Sequence, residues 1–126
     1  MSQVIALVDD LMFLSRIREA ARAAGLDVGV ARDARSLTDS VRAGARLVLV
    51  DADSTRLPWA DAVRSLRAAS PAAVPVVAFV SHVNADRAEA ARGAGCTRVV
   101  ARGAFVQELP HLLAAAAAPV PEETER

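Results

Sequence analysis

With 126 residues, 53% of them hydrophobic, the chain has the length of one domain and enough apolar side chains for one packed core. Fifteen arginines balance fifteen acids with no lysine, which leaves no electrostatic case for a nucleic-acid or membrane-surface partner and points instead to a protein or a small ion. The single cysteine, Cys96, excludes an internal disulfide and suits a reducing compartment; with no basic leader and no apolar run near the roughly 20 residues of a membrane span, the expected location is cytoplasmic.

In chain order, the apolar run at 4–8 predicts a strand and 11–24 a helix closed by Gly25. That helix places Leu11, Leu14, Ile17, Ala21 and Ala24 on one face, with Arg16, Arg18, Glu19 and Arg22 largely on the other. A second strand is expected at 27–31, then a helix at 34–43 with Asp33 as its N-cap and Gly44 at its end. The run at 47–50 predicts strand three, and helix three covers 59–69, following Pro58 and stopping before Ser70 and Pro71. Strand four at 74–80 leads to a weaker helix at 84–92, capped by Asn84 and left through Gly93 and Gly95. Strand five is expected at 97–100, and the last helix within 105–118, where Pro110 is tolerable only in the first turn. The globular part is thus 1–118, and 119–126, with two prolines and three glutamates, reads as a flexible acidic tail.

Five strands alternating with five helices predict an α/β domain with a doubly wound parallel sheet, which binds ligands beyond the carboxyl ends of its strands. Asp9 and Asp10 follow strand one, Asp51 strand three, Ser81 strand four and Arg102 strand five. Three carboxylates gathered in a cleft disfavour one another's charge, and a hard divalent ion such as Mg²⁺ removes that cost with ligands of this kind. The set therefore reads as a metal site able to receive a phosphoryl group. Plainer uses are open to the same residues: Asp9 and Asp10 as caps of the first helix, Ser81 as a turn hydroxyl, Arg102 as a surface charge. His82 and His111 match no metal-ligand spacing, Trp59 suits packing at the start of helix three, and Cys96 reads as a small buried hydrophobe.

Five segments carry a family resemblance: Val-Asp-Asp at 8–10, Val-Leu-Val-Asp at 48–51, Pro-Val-Val-Ala-Phe-Val-Ser at 75–81, Gly-Ala-Gly at 93–95 and Val-Val-Ala-Arg-Gly at 99–103. In order and spacing they resemble the CheY-like receiver domain of bacterial response regulators, over nearly the whole of 4–118. The resemblance implies a flavodoxin-like fold with strand order 2-1-3-4-5 and Asp51 as phospho-acceptor. It implies Mg²⁺ on Asp10 and Asp51, on Asp9 through water and on the backbone carbonyl of Asp53, with Ser81 and Arg102 touching the phosphate. It implies signalling without enzymatic turnover beyond self-phosphorylation of Asp51. Output would pass to a protein partner through the helix four, strand five, helix five face, with a histidine kinase or a second copy of the chain as further partners.

The chain departs from that family in four places. Arg102 stands where the family has lysine, Val99 where it has a Tyr or Phe switch, and Gly103 where it has proline. The loop from Ala52 to Trp59 lacks the family's Met-Pro. Arginine keeps the charge but not the compact ammonium, and an Arg102 to Asp51 ion pair is a second use of the same residues, one that locks a conformation without phosphate. Two functions follow: an atypical single-domain receiver binding Mg²⁺ and accepting a phosphoryl group on Asp51, or a phosphorylation-independent pseudo-receiver that serves as an interaction or dimerisation module. A flavin-binding enzyme fits poorly, since no Gly-rich loop follows strand one and aromatic residues are few.

Overall fold

The computed structural model describes residues 2–69 and 74–118, so the expected tail at 119–126 and the stop of helix three at Ser70 and Pro71 lie outside the described residues. Strands and helices alternate throughout: β1 (Val4–Leu7), α1 (Leu11–Ala23), β2 (Val28–Val30), α2 (Ala34–Arg42), β3 (Leu47–Asp51), α3 (Trp59–Ala69), β4 (Val76–Val80), α4 (Ala85–Ala94), β5 (Arg98–Ala101) and α5 (Arg102–Ala117). The strands form one parallel sheet in the order β2-β1-β3-β4-β5, the expected doubly wound flavodoxin-like arrangement. Chain direction across the sheet reverses between β1 and β3, which opens a crevice at their carboxyl ends.

β1, β3 and β4 are buried at every residue, so their sequences are continuous apolar runs rather than alternating ones. Alternate side chains nevertheless serve different cores. Val4, Ala6, Val8, Leu47, Leu49, Val77 and Phe79 pack with Phe13, Leu14, Ile17, Phe105, Leu109 and Leu113 of α1 and α5. Ile5, Leu7, Val48, Val50, Val76, Ala78 and Val80 pack with Leu37, Val63, Leu66, Ala91 and Ala94 of α2, α3 and α4. This two-residue period positions the site: Asp51 continues the Leu47, Leu49 series toward the α1 and α5 layer, directly beside Phe79 on β4.

Three local expectations are corrected. Leu11 does not join the buried face of α1 but is 76% exposed, because the first turn lies at the sheet's edge with no layer over it; Phe13 is buried in its place. α4 runs through Gly93 to Ala94 and ends on Gly95, whose φ of 117° lies in the left-handed region that glycine tolerates. α5 begins at Arg102, so Pro110 falls in mid-helix rather than in the first turn. Proline there removes the N–H that would bond the carbonyl of Val106. The ring is exposed, while its neighbours Leu109 and Leu113 are buried and hold the helix on the core. Among the described residues no helix is long and apolar enough to cross a membrane.

Candidate functional site

At the carboxyl edge of the sheet the guanidinium of Arg102, first residue of α5, stands between two of the expected acids. One Nη lies 3.5 Å from Asp51 Oδ2 and the other 3.7 Å from Asp10 Oδ2. Its flat face rests on aromatic rings: the guanidinium carbon is 4.6 Å from the centroid of Phe13 and 5.3 Å from that of Phe79, both within cation–π range. Phe105 completes the support, with centroids 4.6 Å from Phe79 and 5.8 Å from Phe13. All three phenylalanines of the chain thus form one platform under one cation. A helix N-terminus repels positive charge, so it is the acids and the rings that hold Arg102 there.

The acids have divided tasks. Asp10 is the N-cap of α1 and accepts the N–H groups of Met12 at 3.0 Å and Phe13 at 3.1 Å. Asp9 meets the hydroxyl of Ser54 at 3.5 Å. Asp51, 5% exposed, accepts the N–H of Asp53 on Oδ1 at 3.0 Å and turns Oδ2 to Arg102. Among the described residues no group of three or more His, Cys, Asp or Glu side chains could hold a metal ion. A guanidinium occupies the space between Asp10 and Asp51, and these residues as arranged do not fit Mg²⁺.

A second network lies beside the first. Asp53, expected to contribute a backbone carbonyl, also engages its side chain: Oδ2 accepts the Ser81 N–H at 2.6 Å and the Ser81 hydroxyl at 2.7 Å, and Oδ1 pairs with Arg87 of α4. Ser81 is thus committed to a neighbouring acid in this state. Val99, the expected switch position, is buried with Ala91, Ala94 and Cys96 beneath α4, where a branched aliphatic side chain has no ring to swing. His82 and His111 are exposed. Cys96 is buried, and burial pushes its thiol up to about 11 against the opposing charge of Arg67, so it is no nucleophile at neutral pH. Sequence reasoning missed Arg87 and the phenylalanine platform. The available signal for the platform was that Phe79 shares strand parity with the apolar series facing α1 and α5.

Burial raises the Asp51 carboxyl above its ordinary range, opposed by the Asp53 N–H and by Arg102, and reinforced by the charges of Asp53 and Asp9. A folded value above the unfolded one means that ionised Asp51 disfavours folding at neutral pH, and that the penalty fades as pH falls through the folded value. Asp51→Asn removes that titration. Its melting temperature relative to the wild type is expected to be highest near pH 7 and to decline on acidification; a difference that stays flat with pH in paired thermal melts contradicts this.

No family model matches the chain, and no curated protein matches it. Solved structures do. A response regulator from Hahella chejuensis superposes with a TM-score of 0.74 at 17% identity, over 92% of this chain and 95% of the other. The receiver domain of NtrX from Brucella abortus gives 0.70 at 20% identity, over 90% and 97%. The beryllofluoride-activated NtrC4 receiver domain dimer gives 0.69 at 15%, over 92% and 99%. The chain has the CheY-like fold of response-regulator receiver domains.

Proposed function

We propose that this chain is a receiver-fold interaction module of two-component-type signalling, a pseudo-receiver that acts by protein–protein contact and holds its state without phosphate. One observation carries the reading: the polar side chains expected to bind metal and phosphate are paired with one another. Arg102 joins Asp10 to Asp51, and Asp53 joins Ser81 to Arg87. A phosphoryl group on Asp51 would have to displace both sets of contacts without the ammonium or the aromatic relay of the family. The face we assign to a protein partner or a second copy is α4, β5 and α5, where Arg87 links α4 to the site and an ion pair of Arg98 with Glu108 bridges β5 and α5. The similar NtrC4 structure is that of a dimer, which supports self-association as one form of output.

A second reading, an atypical receiver with Mg²⁺ in the pocket and phosphate on Asp51 from a histidine kinase, draws on the burial of that one acid at the end of β3, with Asp9 and Asp10 at the same edge. Intact mass after incubation with Mg²⁺ and a small phosphodonor separates the two. No added phosphoryl mass on the folded chain is expected. A gain of one phosphoryl unit that disappears in Asp51→Asn overturns the pseudo-receiver and establishes the rival.

A further inference from the structure

We infer that Arg102 is the resident cation of this pocket, a side chain that has taken over the electrostatic task of a divalent ion and shuts such ions out. The inference rests on the phosphate-independent reading and names what fills its pocket. The first support is charge balance. Of the three acids, Asp10 is partly compensated by the α1 N–H groups it caps, and Asp9 turns to the Ser54 hydroxyl. The remaining demand is that of buried Asp51, one negative charge facing one guanidinium. The second support is the socket. The cation lies on the rings of Phe13 and Phe79, and its Nε is buried with no hydrogen-bond partner. A guanidinium is weakly hydrated and stacks well, so an aromatic seat with one dry edge suits it and would suit neither a lysine ammonium nor a hydrated magnesium ion.

The third support is reach. The fork spans from the end of β1 to the end of β3, touching the two acids that a shared metal would have to bridge. A divalent ion entering there meets a unit positive charge within a few ångströms, and its affinity falls accordingly.

The test is a Mg²⁺ titration followed by calorimetry and Trp59 fluorescence, with the wild type and Arg102→Gln side by side. The wild type is expected to show no saturable binding at millimolar Mg²⁺. The Gln variant, having lost the cation but kept three acids, is expected to bind Mg²⁺ about tenfold or more tighter than the wild type and to rise in melting temperature as Mg²⁺ is added. Saturable binding by the wild type equal to that of the variant, or a folded variant that gains none, overturns the inference. Should the variant not fold, NMR of the wild type decides. The Arg102 Nε–H signal should be displaced by the ring currents of Phe13 and Phe79, lose that displacement in Phe13→Leu, and ignore millimolar Mg²⁺; a saturable shift with Mg²⁺ overturns the proposal. Phosphoryl labelling tests the reading above and metal titration tests this inference, so either can fail without the other.

Discussion

Phe79→Ala is expected to cost about 3–5 kcal/mol of folding stability, the range for truncating a fully buried phenylalanine. Phe79 has no exposed surface and touches both Phe13, at a centroid distance of 4.8 Å, and Phe105, at 4.6 Å. Its removal opens a void in the α1 and α5 core and takes away one of the two rings beneath Arg102. For a domain of this size the loss corresponds to roughly 12–20 °C in melting temperature. Against a typical reserve of about 5–15 kcal/mol it is a large share of the total stability. Phe79→Leu separates the two roles: its cost is expected to be smaller, about 1–2 kcal/mol, since leucine refills most but not all of the space the ring leaves. The ring contact to Arg102 is lost in both variants. Chemical denaturation of the three proteins checks the ranking; equal midpoints for Ala and Leu would show that the ring packs less tightly than its burial indicates.

Asp53→Ala is the second effect, at about 0.5–1.5 kcal/mol, because it removes the acceptor of the Ser81 N–H and hydroxyl, which water then takes over in part at this exposed position. The pairing with Arg87 adds little to that figure, since the arginine side chain is half exposed and solvent screens it. Burial pulls the Asp53 carboxyl upward, but the hydrogen bonds from the Ser81 hydroxyl and amide and the charge of Arg87 outweigh it, and the net shift is downward. A folded value below the unfolded one gives stability that is complete above the unfolded value of about 3.9 and is lost as pH falls through the folded one. The gap between wild type and Asp53→Ala should therefore be widest at neutral pH and close in acid, the reverse of the trend expected from Asp51. Hydrogen exchange in the variant should accelerate across Ala85–Ala94 while the amides of β1 and β3 keep their protection; uniform acceleration would mean that the acid supports the whole fold and not one helix.

The alternation of β-branched runs with helical periods was enough to predict all ten elements and, through the family resemblance, their order in the sheet, because burial of both faces leaves so strong an imprint on Val4, Val48 and Val76 and their neighbours. Caps were equally readable, since Asp33 and Asn84 announce helix starts by side-chain chemistry alone. Pro110 was misjudged because proline's local penalty is visible in sequence whereas the anchoring by Leu109 and Leu113 that offsets it is tertiary. The site residues fall at the expected edge of the sheet, and the Arg102 to Asp51 pair was one of the uses open to them, but the contacts of Asp53 with Ser81 and Arg87 were not foreseeable. That the Asp53 carboxylate meets Ser81 and Arg87 depends on the reach of Arg87 from another element. Whether Arg102 serves phosphate or carboxylate depends on two rings remote in sequence.

The underside of α4 carries only methyl groups toward the core, from Ala88, Ala91 and Ala94. Such a footing is smooth and shallow, so the helix can slip or tilt while forfeiting few interlocking contacts. Its registration then falls to contacts at its two ends, the pairing of Arg87 with Asp53 and the hydrogen bond from Arg67 to the Gly95 carbonyl, and a binding protein that captured the Arg87 guanidinium would loosen one end of the helix without disturbing the sheet.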